Sequence, residues 1–407
     1  MSRPATKTIG TIPRHLLLLL LHLALAGCAS VVERIASVAD LDVSPIVDLF
    51  KTKEPEISAE QTARLKLVAA ARPLWQSSIV DESKVAVFSP VFANGAVYAA
   101  NSEGRLVRLD SATGKQAWNI DTQYKLSGGV GVGEGMLLVG TFKGEVLAFD
   151  DTGKSLWKAQ VSSEVMGPPQ ADSEVVVVRT GDGRIFGLDA SNGKRKWVYQ
   201  GATPALTVRN PSRVLIKNGA VFAGFAGGKL VALNLSNGNV NWEATVSRPR
   251  GATELERITD ITSLPVADAW QICAVAYQGR VACFEISNGN QIWARDASSS
   301  AGLAMDDTYI YLSEDRGAVI AYTKINGTTV WRQDILSGLR LTAPIVRGSR
   351  VVVGDSQGYV NFFRHDDGAI VLRAATDESS IFAHPEHLAN GIVVQTRKGG
   401  LYAFSIQ

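Results

Sequence analysis

Leu109-Asp110-Ser111-Ala112-Thr113-Gly114-Lys115-Gln116-Ala117-Trp118 decides the fold, because this stretch recurs. It returns as Phe149-Asp150-Asp151-Thr152-Gly153-Lys154-Ser155-Leu156-Trp157 and as Leu188-Asp189-Ala190-Ser191-Asn192-Gly193-Lys194-Arg195-Lys196-Trp197. Gly238, Gly289 and Gly327 keep the same four-residue distance to Trp242, Trp293 and Trp331. With Trp75, seven of the eight tryptophans recur at intervals of 43, 39, 40, 45, 51 and 38 residues. A period near 40 residues belongs either to helical arrays or to propeller blades, and the content of each unit separates them.

The units are made of strands. Ala96 to Ala100 and Arg105 to Leu109 are short β-rich runs around the polar turn Asn101-Ser102-Glu103-Gly104, a hairpin signal. The turn glycine recurs as Gly144, Gly183, Gly228, Gly279, Gly317 and Gly358. The Asp-x-x-Thr-Gly-Lys segment is a second turn, and the tryptophan lies in the strand after it. Pro90, Pro265 and Pro344 precede first strands that can spare an amide. Four antiparallel strands per repeat predict an all-β fold, a β-propeller, which leaves only short protected edges. The seven tryptophans are expected to fill the wedges between blades, each indole N–H finding a backbone acceptor.

Leu372 takes the tryptophan slot after Asp367-Gly368-Ala369, which makes eight slots with Trp75. The last unit ends at Gln407 without a fourth strand, whereas Pro73 to Ser78 is a fourth strand with no hairpin before it. The two ends therefore complete one blade, and the expected ring is eight-bladed over residues 71–407.

Arg3, Lys7 and Arg14 precede an apolar run from Leu16 to Ala26, too short to span a bilayer, for which about 20 residues are needed. The run ends at Leu25-Ala26-Gly27-Cys28, which resembles the bacterial lipoprotein signal. That resemblance implies a signal peptide over 1–27 and acylation of Cys28. Ala29 and Ser30 are not the aspartate that in many such lipoproteins marks inner-membrane retention, so an outer-membrane anchor facing the periplasm is expected. Residues 28–70 then form a tether. Within it, Ser58-Ala59-Glu60-Gln61 reads as a capping box ahead of helix formers from Thr62 to Ala70, in competition with an extended reading of Lys66 to Ala71.

The formal net charge is +2, and cleavage after Gly27 removes three cations and no anions, leaving −1. No basic field remains for nucleic acid. Cys273 and Cys283 flank one hairpin turn; an oxidising periplasm permits a disulfide, and spacing alone leaves open whether the sulfurs face each other. Candidate catalytic chemistry is sparse. In His384-Pro385-Glu386-His387, proline spoils presentation of two imidazoles on one helix face, so a solvated interblade loop is expected there rather than a metal site. No phosphate-cradling glycine loop or paired-cysteine metal motif is present.

The repeats resemble those of the pyrroloquinoline-quinone dehydrogenases over residues 73–407. Those enzymes stack their quinone against a disulfide of adjacent cysteines, which this sequence lacks, so no cofactor is expected. Lipoprotein signal, tether and an eight-bladed ring without insertions together resemble the BamB family, lipoproteins of the complex that folds β-barrels into the outer membrane. The two longest intervals place extra residues in Tyr199–Arg213 and Ser247–Thr262, connections that share one face of neighbouring blades. In that family such loops contact the periplasmic domains of BamA through a Leu-x-Leu-Arg and an Asp-x-Asp segment. The resemblance thus implies Leu206, Val208 and Arg209 from the first, and Asp260 and Thr262 from the second, all in loops outside the blade core. Val208 and Thr262 depart from the family pattern, and Thr262 removes a charge. The reading is a non-catalytic scaffold that docks on BamA and assists barrel insertion. Two alternatives remain at this point: a periplasmic quinoprotein-like dehydrogenase, and a propeller that binds another envelope component.

Overall fold

Each repeat folds as four antiparallel strands whose second and third members are largely buried along their middles, because neighbouring blades cover both faces. In the first blade these are Val91–Ala93, Ala96–Ala100, Arg105–Asp110 and Gln116–Asp121, in order from the axis outward. Ala96–Ala100 is buried at every position, and Gln116–Asp121 alternates between exposed and half-buried. The computed structural model describes residues 57–80, 86–201, 206–208 and 213–406. Among them stand eight such sheets, one with a fifth strand.

The eighth blade is built from both ends of the chain. Glu386–Leu388, Gly391–Gln395 and Gly400–Ser405 receive Trp75–Ser78 as the outer strand, antiparallel, with Trp75 opposite Ala403. The expected closure by the N-terminal strand is therefore present.

The tryptophans latch each blade to the next. In the complete repeats a β-bulge one residue before the slot, as between Arg108 and Leu109, turns the indole toward the neighbouring blade. Trp75 Nε1 donates to the Ser111 carbonyl at 2.9 Å, and Trp197 Nε1 to that of Leu235 at 2.9 Å. The other five reach Asp151, Ala190, Ile286, Lys324 and His365 in the same way. The ring lies on the turn glycine of that neighbour. At Gly238, with φ +73°, a Cβ would fall 2.6 Å from the Trp197 ring, which leaves no space for a side chain. Five of the indoles are buried, and Trp118 and Trp157 are half-buried.

Leu372 now has a physical reason. Each indole donates to the turn between the third and outer strands of the following blade. The eighth blade has no such turn, since its outer strand comes from the other end of the chain. A tryptophan in the seventh blade would have no acceptor there, and an apolar residue takes the slot.

The chain ahead of Trp75 seals this neighbourhood. Ser58 caps the helix Ala59–Lys66: its Oγ accepts from Gln61 N at 3.1 Å while Gln61 Oε1 accepts from Ser58 N at 2.8 Å. Gln61 Nε2 also donates to the Ile335 and Ser337 carbonyls, and Leu65 is buried with Trp331, Leu336 and Leu339. Ala69–Ala70 then adds to the seventh blade as a parallel strand, Ala69 opposite Leu372. The segment is thus helical up to Lys66 and extended at Ala69–Ala70, so each of the competing readings holds for part of it. Cys273 and Cys283 face each other on paired strands of the fifth blade and form a disulfide, both fully buried.

Candidate docking face and axial cavity

The outer-to-inner connections and the turns between second and third strands lie on one face of the ring. There the two long connections meet. Asp260, in the second, accepts a hydrogen bond from Val208 N of the first at 2.6 Å and from Gly227 N, in a turn of the fourth blade, at 3.1 Å. Ile261 N donates to the Phe225 carbonyl, and the Ile261 side chain packs where Gly224 leaves room for it. Behind Asp260, Arg179 lays its guanidinium over the Phe225 ring at 5.0 Å. Burial lowers the Arg179 pKa to about 10, and the Asp260 charge opposes that shift.

This arrangement sorts the candidate residues. Leu206 is 45% exposed, whereas Asp260 and Thr262 are only 3% and 4% exposed. Asp260 holds the first loop from below, and Thr262 donates to the Ser300 carbonyl at 3.2 Å. Leu206 and Val208 stand on the surface that Asp260 fixes; Thr262 lines the axis instead. Arg209 and Cys28 lie outside the described residues, as does the segment 1–27. The second loop is ordered by Glu256, whose carboxylate accepts from Ala252 N and Thr253 N, bonds that together lower its pKa. That turn exposes Leu255 at 68%, an apolar tip the sequence did not single out. Arg179 was missed as well, although a lone arginine ending the otherwise all-valine strand Val175–Arg179 was the signal that could have found it.

The His384-Pro385-Glu386-His387 segment differs from the expected solvated loop. Glu386–Leu388 is the innermost strand of the eighth blade. Across the axis Arg213 supplies the countercharge: its pKa is lowered by burial and raised by Glu386, while burial raises that of Glu386. Burial, with the nearby Arg213 charge, pushes His384 down to about 4, so it is neutral at physiological pH. Among the described residues no group of histidine, cysteine, aspartate and glutamate is arranged to hold a metal ion.

Known proteins resemble the chain over nearly its full length. A family model described as outer membrane protein assembly factor BamB matches residues 61–125, 102–333 and 323–407. The outer membrane protein assembly factor BamB of Nitrosomonas eutropha is 52% identical, covering 96% of this chain and 94% of that protein. The protein of the same name from Bordetella pertussis is 40% identical, covering 82% and 86%. Among solved structures, BamB from Moraxella catarrhalis superposes with a TM-score of 0.75 at 26% identity, covering 81% of this chain and 98% of that one.

Proposed function

The chain belongs to the BamB family of outer membrane protein assembly factors, and on that premise we propose that it is a non-catalytic scaffold of the barrel-assembly complex, docked on the periplasmic domains of BamA. The observation that carries this reading is the joining of the two long loops by one buried carboxylate. Asp260 fixes the Val208 amide, and Leu206, two residues before it, is exposed on the first loop as Leu255 is on the second. Pre-positioned apolar anchors flanked by an arginine are the usual composition of an interface centre. Leu206, Val208 and Arg209 are the contacting residues in this proposal. Asp260 positions them, while Thr262 faces the axis.

Cys28 is the acylated first residue after removal of 1–27, and residues 28–56 link the lipid in the outer membrane to the ring on its periplasmic face. Cys28→Ala is expected to release the protein from the membrane fraction of cells in which BamA is depleted; retention there would refute the anchor. For docking, calorimetric titration with the soluble BamA domains is expected to show losses of roughly 2 kcal/mol for Arg209→Ala and for Leu206→Ala. Lys154→Ala, on the opposite face, is expected to bind normally. Equal affinity for all three would refute the assignment of this face. Addition of pyrroloquinoline quinone and calcium to the purified protein separates the scaffold from a dehydrogenase, since the scaffold takes up neither.

A further inference from the structure

On the face with the long loops, the axial channel widens into a cavity of about 580 Å³, within the ~300–1,000 Å³ range of ligand pockets. Its rim is basic. Arg340 and Arg397, from the seventh and eighth blades, both stack on Phe382, with guanidinium carbons 4.9 and 5.8 Å from the ring centroid. One ring thus gathers two cations on this wall of the cavity, where an anion is attracted. Arg340 has no carboxylate partner among the described residues. The acidic groups of the lining are engaged: Glu314 with Arg332 at 2.8 Å, and Asp315 with the Ser298 hydroxyl and with the amide and hydroxyl of Ser300.

Deeper in the lining, two polar atoms are buried without a hydrogen-bond partner, Arg213 Nε and Gln395 Oε1. Gln395 is 2% exposed, and its amide nitrogen is already committed to the Ala100 carbonyl. One orphan is a donor and the other an acceptor. A ligand that completes both carries an acceptor oxygen, preferably anionic toward the arginine, and a hydrogen-bond donor such as a main-chain N–H. The walls between them include Phe88, Leu303 and Leu341, which suit an apolar side chain.

We propose that this cavity binds an acidic peptide segment, its carboxylates held by Arg340, Arg397 and Arg213 and a main-chain N–H reaching Gln395. Guanidinium forks match carboxylates bidentately. They match phosphate as well, but hydrogen phosphate, whose one O–H could reach Gln395, brings no apolar group to the walls. The cavity takes only the ends of the two long loops, Arg213 and Thr262, whereas Arg340 and Arg397 belong to other blades; a failure of Arg340→Glu to weaken the peptide is therefore distinct from a failure of the Leu206 and Arg209 variants to weaken docking.

The test uses the full mature chain and a fluorescein-labelled pentapeptide alternating glutamate and leucine, followed by fluorescence anisotropy. Binding at least tenfold tighter than that of the glutamine-for-glutamate peptide is expected, with a loss of at least tenfold in Arg340→Glu and none in Lys154→Ala. Arg213→Gln alters a partly buried residue and risks misfolding; Arg340 is exposed at the rim and carries the test. Absence of binding up to millimolar peptide overturns the proposal, as does equal affinity for the two peptides or undiminished affinity in Arg340→Glu. Full displacement of the peptide by an equal concentration of inorganic phosphate also overturns it, in favour of a phosphate site.

Discussion

Replacing Asp260 by asparagine separates positioning from contact on the docking face. The carboxylate takes two backbone N–H groups, from Val208 at 2.6 Å and Gly227 at 3.1 Å, and its charge acts on the buried Arg179. Asparagine keeps the shape but only one acceptor oxygen, so one of those hydrogen bonds is lost, and the new NH₂ group is turned toward a backbone donor. Hydrogen bonds to a charged group contribute about 1.5–3 kcal/mol each. Loss of the countercharge leaves Arg179 desolvated, which moves the cost toward the upper end. A destabilisation of about 2–4 kcal/mol is expected in urea unfolding, together with weaker binding of the soluble BamA domains in calorimetry. Leu206→Ala is the complement: an exposed loop residue changes stability by no more than ~0.5 kcal/mol, while its binding falls. If Asp260→Asn loses binding with an unchanged unfolding midpoint, the carboxylate touches the partner directly and the positioning argument is refuted. If neither quantity changes, the two loops are not held together by this residue.

Trp197→Ala, which removes a buried indole together with its bond to the Leu235 carbonyl, is expected to cost about 3–5 kcal/mol in urea unfolding; a cost under 1 kcal/mol would refute the latch. Leu65→Ala is expected to cost about 2–5 kcal/mol, because Leu65 lies in the core beside Trp331 and not in a solvated tether, and an unchanged melting temperature would refute that placement. His384 titrates near 4 in the folded protein against 6.5 for an ordinary histidine. Its contribution to stability is therefore complete above about pH 6.5 and is lost as pH falls toward 4, on the order of 3 kcal/mol at most. In His384→Gln the decline in stability between pH 6.5 and 4 is expected to be shallower; an identical slope would assign the decline to other groups.

The ring was legible because its determinants are local and repeated. A tryptophan four residues after a turn glycine states both members of the latch in one short stretch, and the missing fourth strand at Gln407 was readable from Trp75. Leu372 was legible as an exception but not as a necessity, since its cause is the absence of a turn in a blade assembled from distant parts of the chain. The burial of Asp260 was illegible for a similar reason: its partners, Val208 and Gly227, belong to other segments, and nothing in Arg257-Ile258-Thr259-Asp260 announces them. The His384-Pro385-Glu386-His387 segment misled because proline and histidine suggest a loop, whereas the first strand of each blade is so short that a proline beside it does no harm. Both cysteines sat where a disulfide was permitted, and only the register, Cys273 opposite Cys283, decided it.

The joint between Trp75 and Ala403 also sets an order of events. Hairpins and the four-stranded parts of blades one to seven need only neighbouring residues, so they can form early, apart from the added strand Ala69–Ala70. The final blade needs residues from both termini, and pairing so distant in sequence is slow because the loop-closure entropy is lost before any contact compensates for it. Until the last strand arrives, Trp75 and the outer edge of Gly400–Ser405 wait unpaired. Annealing of that seam is therefore expected to be the late step of maturation, and the interval before it is when the chain is most exposed to proteases and to pairing with a second copy of itself.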